Sequence, residues 1–387
     1  MRVRRRAWLL FFCHDGRTID IAQLLTGTLA SAPQSRVYAI SLADGAEHGI
    51  SRDELELLLE VPANDWTDAR GLAPDVVRAL VDRGLLVLDG GGDRDDFDER
   101  LFESGWERNA AVYHFLTRWR DVDIRDGDGQ VLPATEQHVR AFLELNGPQP
   151  PAFRSVDQPS SVLDLPEVRP DGDLYSALAR RRTTRGFDES RPLPLEELAL
   201  VLDQVFGCHG HATAADGAIQ MLKRTSPSAG GLHPIEAFPL VLNVAGAESG
   251  LHHYNAKRHA LELVEPIDRD TSKAMATSFV CGQTYFGSAQ VLLLLVARFS
   301  RSYWKYRRHP KAYASILLDA GHLSQTLYLV AADRGLGAFV TTVVNNAEID
   351  ERLGLDGIDE GVVAVCGLGV PGERSPFDPE FRPFTRA

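Results

Sequence analysis

Ser226-Pro227-Ser228-Ala229-Gly230-Gly231-Leu232-His233-Pro234 is a run of small residues between a predicted helix and a predicted strand. Side chains this small let a backbone come close to a flat ligand and offer it N–H and C=O groups. On its own the run would serve equally well as a tight turn. Upstream, residues 195–206 have the pattern of a helix, introduced by Pro192 and Pro194 and closed by Gly207, and residues 174–182 read as another. Downstream, residues 238–244 and 289–299 read as buried strands, with the alternation and turn of a hairpin over 253–263 between them. Residues 362–366 read as a last strand.

Two further segments carry polar chemistry. Arg180-Arg181-Arg182-Thr183-Thr184-Arg185-Gly186-Phe187 sets several guanidiniums beside two hydroxyls at a helix end. That suits a phosphate, because arginine forks match phosphate oxygens; a solvated basic patch would look the same. Residues 315–332 form the strongest predicted helix, with Ile316, Leu317, Ala320, Leu323 and Leu327 as its apolar stripe. Gly321 and Ser324 sit mid-helix, where glycine costs about 1 kcal/mol relative to alanine. A close neighbour, such as a helix across a dimer interface, accounts for them.

The first part of the chain reads separately. Ser51, with Glu54 three residues on, forms a capping box that starts a helix, and Leu55, Leu58, Leu59 and Val61 give that helix one buried face. A second helix fits residues 73–83, stopped by Gly84, and residues 85–88 make a strand that ends at Gly90-Gly91-Gly92. Helix, helix, strand and glycine turn is the order of a winged-helix module. Residues 109–120 and 136–145 read as two more helices, and the acidic stretch 93–99 reads as a solvated loop. Prolines 148, 150, 151, 159, 166 and 170 mark an extended linker. The expected division is therefore residues 1–146, a linker at 147–170 and a second domain at 171–387.

A length of 387 residues suits two domains, and 44% hydrophobic with 25% charged residues is a soluble, globular composition. The formal charge of -13 argues against nucleic acid as the main partner, since duplex binding sets Lys and Arg against phosphates. Arg4-Arg5-Arg6 ahead of residues 7–13 superficially suggests a secretory signal. His14 and Asp15 break the apolar run and no small-residue cleavage site follows, so it reads as a first strand and the expected location is cytoplasmic. No run approaches the roughly 20 apolar residues of a membrane span. Cys13, Cys208, Cys281 and Cys366 are scattered, which indicates neither a disulfide framework nor a zinc site. Cys208-His209-Gly210-His211 alternates possible soft-metal ligands, but no second cluster completes them; it is read as a polar loop, and no metal is expected.

Arg182-Thr183-x-Arg185-x-Phe187 resembles the R-S-x-R-x-F opening of nitroreductase-type flavoproteins, and residues 226–234 resemble the P-S-A-G-G-L-x-P signature of their SagB/McbC-type branch. Tyr303-Trp304-Lys305-Tyr306 resembles that branch's K-Y motif, and residues 318–329 resemble its E-A-G-H-x-x-Q-N-L-Y-L helix. Gly335-Leu336-Gly337 and Gly367-Leu368-Gly369-Val370-Pro371 follow in the expected order. The likeness covers residues 170–387. It implies an α+β nitroreductase-like fold, a mixed and mainly antiparallel sheet wrapped by helices and dimeric, preceded here by the small winged-helix-like domain.

The resemblance also implies FMN. Arg181, Arg182, Thr183 and Arg185, helped by Arg374, would hold its phosphate. Ser226, Pro227, Ser228, Ala229, Gly230 and Gly231 would line the isoalloxazine ring, in this family often from the partner subunit, and Gln325, Thr342, Val343 and Gly369 would complete the pocket. Lys305 and Tyr306 are the implied catalytic pair. Thr342-Val343 stands where the family usually has Gly-Gly, and Thr326 where it has asparagine, departures that bear on substrate more than on cofactor. The implied reaction is FMN-dependent oxidation of azolines to thiazoles or oxazoles in a ribosomally made precursor peptide. Its agent would be a homodimer, with a peptide-cyclising enzyme as a further partner. The alternative on the same fold is an NAD(P)H-dependent nitro or quinone reductase. The alternative outside catalysis is a peptide-binding or regulatory protein with a vestigial flavin site.

Overall fold

The computed structural model describes the chain except for residues 20–30, 91–96, 126–130, 132–135, 155, 159, 167, 169, 375–377, 379–380 and 382–387, and for the side chains of 15–19, 31–35 and 138. The chain divides into two compact units: Met1–Arg118 with Tyr303–Ala312, and Trp119–Ser302 with Tyr313–Ala387.

The first unit contains β1 (Arg2–Arg5), β2 (Leu9–Ile19), β3 (Ser31–Ser41), β4 (Glu47–Ile50), β5 (Thr67–Asp68) and β6 (Leu86–Leu88). They form two three-stranded antiparallel sheets, ordered β5-β1-β6 and β2-β3-β4. The Ser51 hydroxyl accepts the Glu54 N–H at 3.3 Å and the Glu54 carboxylate accepts the Ser51 N–H at 2.7 Å, so the helix Arg52–Glu60 begins at the predicted capping box. The helix Pro74–Asp82 starts on a proline, whose missing N–H would have had no helical partner anyway. Leu57, Leu58, Val77, Leu80 and Leu86 bury these helices around Val3 of β1. Two helices on a small sheet are the parts the sequence announces as winged-helix-like.

Two readings are corrected in this unit. The single N-terminal strand is two, interrupted at Ala7, whose N–H donates to the Asp98 carboxylate at 3.0 Å. Residues 93–96 of the acidic stretch lie outside the described residues, and the helix Phe97–Glu103 begins within its remainder. There Asp98 is only 3% exposed and faces Arg6 at 3.7 Å. A carboxylate met by a cation and an N–H can be buried where composition alone suggests solvation.

The second unit adds β7 (Gly210–Ala214), β8 (Ile219–Lys223), β9 (Ile235–Val241), β10 (Gly250–Asn255), β11 (Ala260–Pro266), β12 (Val291–Arg298), β13 (Gly337–Thr341) and β14 (Glu360–Gly369). Six of them make a sheet in the order β11-β10-β9-β12-β14-β13, every pairing antiparallel. The central β12 is buried on both faces, which is why it reads as an unbroken apolar run rather than as an alternation. The turn from β10 to β11 is closed by the Asn255 side chain, which accepts the N–H groups of Lys257 and Arg258 at 3.1 Å each. The Cys208–His211 segment, expected as a loop, leads instead into the hairpin β7–β8, whose residues are mostly exposed and so lack the apolar alternation that signals a strand. The helices Asp173–Arg180, Leu195–Phe206, Arg269–Phe279, Ala312–Asp333 and Asn346–Leu353 surround the sheet's sequence positions, and residues 147–170 carry no described helix or strand. No described helix is long and apolar enough to cross a membrane.

Candidate active site

The helix Ala312–Asp333 organises the site in the second unit. Asp319, His322 and Thr326 are spaced i, i+3 and i+7 and share one face, against which the loop Ser226–Pro234 is tied. Ser226 Oγ lies 2.6 Å from Thr326 Oγ1 and 3.4 Å from the His322 carbonyl. Ser228 Oγ donates to Asp319 Oδ2 at 2.5 Å and accepts the His233 N–H at 2.9 Å, while the Ala229 N–H donates to Asp319 Oδ1 at 3.2 Å. The next turn is held from the other side: Arg301 Nε donates to the Leu232 carbonyl at 2.5 Å and Arg224 Nη1 to that of Ile235 at 3.1 Å. Burial, with Arg224 nearby, holds His233 below the ordinary histidine pKa.

Inside this frame Gly230 and Gly231 take φ of +62° and +66°, a region that favours glycine. A side chain at Gly231 would meet no atom of the described residues within 4 Å, so the loop presents an open face there. The run is a tight turn with an open face at Gly231.

The arginine cluster uses the same helix differently. Thr183 Oγ1 lies 3.1 Å from the Tyr328 hydroxyl, which also accepts the Val340 N–H at 3.1 Å, and the Arg181 guanidinium sits 5.5 Å from the Tyr328 ring centroid. Arg180, Arg182 and Thr184 line a cavity of about 290 Å³ with Tyr328, Ala332 and Gly335. Arg182 is exposed, whereas Arg185 meets Asp378 at 3.3 Å. Phe187 anchors the segment in the core at 7% exposure. Gly337 lets it approach, because a Cβ there would stand 2.7 Å from Thr184 Cγ2 and 3.0 Å from the Phe187 ring.

Loop and cluster face opposite ways. Asp319 and Tyr328 are nine residues apart, and at about 100° per residue they project from opposite sides of the helix. On the Tyr328 side of the helix and just beside it runs an exposed stripe containing Leu317, Leu318, Gly321 and Gln325. Among the described residues no close neighbour stands at Gly321: none lies within 4 Å of a Cβ there.

The other predicted residues are dispersed. Thr342 is exposed after β13; the Val343 carbonyl accepts from Gln283 Nε2 at 3.1 Å. Gly369 is buried, and any side chain there would collide with Gln290. Arg374 is exposed on the C-terminal segment. Lys305 ends the helix Phe299–Lys305, and from Tyr303 onward this segment belongs to the first unit, where Tyr303 packs 4.8 Å from Trp106. The Lys305 ammonium is exposed, 5.4 Å from the Tyr306 ring centroid. Asp319 and Tyr328 were missed as site residues, although both lie within the quoted helix motif.

Residues 178–370 match the model of the nitroreductase family. The chain carries a nitroreductase-family domain, and the expected α+β fold is the one observed. Nitroreductases are oxidoreductases, and that class describes this domain. The chain is also 26% identical over 307 residues to the trifolitoxin-processing protein TfxB of Rhizobium leguminosarum bv. trifolii, covering 75% of this chain and 79% of that protein. It is 28% identical over 191 residues to a Methanocaldococcus jannaschii protein described as a nitroreductase, covering 49% of this chain and 88% of that one. A chain of the Escherichia coli microcin synthetase McbBCD complex, solved with truncated pro-MccB17 bound, superposes over 71% of this chain and 94% of its own, with a TM-score of 0.51 and 20% identity. That superposition speaks for the fold.

Proposed function

We propose that the protein is an FMN-dependent dehydrogenase that acts on a ribosomally made peptide, oxidising azoline rings to azoles. The observation that carries the peptide reading is the length of the likeness to the trifolitoxin-processing protein, which covers 75% of this chain, whereas the nitroreductase family match is confined to residues 178–370. The residues present suit FMN. Arg181, Arg182, Thr183 and Arg185, with Arg374, offer guanidiniums and a hydroxyl to one terminal phosphate. The loop Ser226–Gly231 offers an open backbone face to the ring, with Gln325, Thr342, Val343 and Gly369 assigned to the remainder of the pocket. The Asp378 carboxylate on Arg185 is a contact that a phosphate would replace.

Because loop and cluster lie on opposite sides of one helix, we assign each complete site to two copies of the chain, loop from one and cluster from the other. The stripe around Leu318 and Gly321 is then the homodimer contact. Residues 1–146 are assigned to the leader of the precursor peptide, and the enzyme that forms the azoline is the further partner.

When bound, FMN supplies a two-electron acceptor. Oxidation of an azoline breaks two bonds to hydrogen: one hydrogen leaves with the electron pair as hydride, the other as a proton. Lys305 and Tyr306 are the pair assigned to moving that proton. A lysine acts as a base only when burial or neighbouring positive charge favours its neutral form, and the bound peptide would cover the exposed Lys305.

The test is anaerobic mixing of the purified protein with an azoline-containing precursor peptide. The protein should be yellow and release FMN, not FAD, on denaturation. The peptide should bleach the flavin and lose two hydrogens by mass spectrometry. Bleaching by NAD(P)H but not by peptide would replace this reading with the nitro or quinone reductase; a protein that stays colourless after FMN is added would replace it with the non-enzymatic one.

A further inference from the structure

We infer that Asp319 is a positioning residue for the flavin ring, its carboxylate setting the backbone of Ser228–His233 in the shape that leaves one N–H free for the ring. The inference rests on the FMN reading above. Asp319 is 4% exposed, and among the described residues no cation pairs with it. Its charge is met by the Ser228 hydroxyl and the Ala229 N–H alone. A buried carboxylate without a cation is costly, and a turn that needed only closing could be closed by a neutral side chain. What the charge adds is strength, since hydrogen bonds to an ionised acceptor are roughly twice as strong as neutral ones.

That strength is relayed along the loop. The Ser228 hydroxyl has one hydrogen to give and gives it to Asp319, so its lone pairs are turned toward the His233 N–H, which it accepts at 2.9 Å. Of the N–H groups from Ala229 to His233, Ala229 is held by Asp319, Gly231 by the Ser228 carbonyl, Leu232 by the Ala229 carbonyl and His233 by Ser228 Oγ. Only that of Gly230, an exposed residue, has no partner among the described residues. The isoalloxazine ring is rich in acceptors, and a fixed, unsatisfied N–H is what selects one of them. Asp319 touches no ligand itself; it acts through Ser228 and Ala229.

The experiment compares wild type with Asp319→Asn, Asp319→Glu and Ser228→Ala. Asparagine keeps the size but can satisfy only one of the two donors. FMN affinity should fall roughly ten- to hundredfold in Asp319→Asn and in Ser228→Ala, and the visible flavin band should shift. The double variant should lose much less than the product of the two singles, because they break one relay. Asp319→Glu, which keeps the charge, should restore most of the affinity and the wild-type spectrum. In apoprotein, hydrogen exchange should quicken at Ala229 and His233 while the amides of β9 and β12 stay as protected as in wild type. Wild-type affinity and spectrum in Asp319→Asn would overturn the inference, and so would exchange that quickens equally through β9 and β12, which marks general loosening. If the wild type itself bound no FMN, the FMN reading would fail there and the ring-facing role with it, while the apoprotein exchange still decides whether Asp319 holds the loop.

Discussion

The loop Ser226–Pro234 and the cluster Arg180–Arg185 are built to opposite designs on opposite sides of one helix. The loop is held before any ligand arrives, by a buried carboxylate, paired hydroxyls, a guanidinium on its Leu232 carbonyl and another on Ile235 just beyond it. The cluster is anchored at Phe187 and Tyr328, while Arg182 is exposed and Arg180, also exposed, reaches the Ala332 carbonyl and Asp333. Shape is thus fixed by buried hydrogen bonds where a flat, neutral ring would be read, and charge is held nearer the surface where a phosphate would be gripped. Mobile surface cations are also screened by salt, whereas buried hydrogen bonds are not. The contrast follows from chemistry: a ring is discriminated by backbone placed to a fraction of an ångström, an anion by a field that tolerates loose side chains.

The largest expected effect lies outside both regions. Lys305→Ala and Tyr306→Phe should keep their flavin, since neither loop nor cluster contains them, while turnover falls by about 10² to 10⁴-fold, the usual consequence of losing a positioned proton-transfer group. Stopped-flow reduction by peptide measures this. Near-normal rates in both variants would reduce the pair to a packing feature. Loss of flavin would instead draw this segment into the cofactor site and blur the comparison.

Next in size is the cluster. Arg182→Ala with Arg185→Ala should release most FMN at assay concentrations, and in single variants the remaining affinity should fall less with added salt than wild type does, because fewer mobile cations remain to be screened. Mixing sharpens the test. The cluster variant and Asp319→Asn are each defective in a different half, so subunit exchange between them should regain strong FMN binding at about one site in four, as random pairing of a composite site requires. No regain after exchange, with heterodimers present by native mass spectrometry, would place loop and cluster of one chain in the same site.

Much of this was legible because local chemistry announces itself. Ser51 with Glu54, the apolar run of β12 and the proline-rich stretch 147–170 carry their signals within a few residues. Ser228 and Phe187 stand at motif positions, but their contacts, with Asp319 and with the core, are seen only in the fold. What escaped was chosen by distant partners. Asp98 is buried because Ala7 and Arg6 meet it, Tyr303–Ala312 sits with Met1–Arg118 through contacts such as Tyr303 on Trp106, and Gly369 is small because Gln290 occupies its space. Gly321 is the instructive middle case: the sequence predicts a close neighbour, and none of the described residues supplies one.

The smallest expected effect concerns a third arrangement, a row of charged side chains across the sheet from β11 to β14. His253 Nε2 lies 3.0 Å from Glu236 and its Nδ1 3.0 Å from Glu262; Glu236 also meets Arg298 at 2.9 Å, and Arg298 meets Glu360 at 3.3 Å. Two carboxylates on the two ring nitrogens can both accept only if the imidazole is protonated. The Glu236 hydrogen bond, opposed by burial and aided by Glu262, accordingly raises the His253 pKa. Burial pushes the Glu236 carboxyl up, but His253 and Arg298 outweigh it and leave it below the usual value. A raised histidine pKa means that the folded chain keeps a proton the unfolded chain gives up near pH 6.5, so its stabilisation is complete below that pH and is lost as pH rises through the folded value. The lowered carboxylate acts at the other end, its share being lost as pH falls below about 4.5. The window is therefore mildly acidic. Wild type should melt above His253→Gln by about 2–4 °C near pH 6, corresponding to about 1 kcal/mol, with a smaller gap at pH 8.5. Unlike the cluster, this row should leave FMN affinity unchanged when broken. A gap that widens toward pH 8.5 would mean that the histidine is neutral in the folded chain and that one of its carboxylate contacts is not a hydrogen bond.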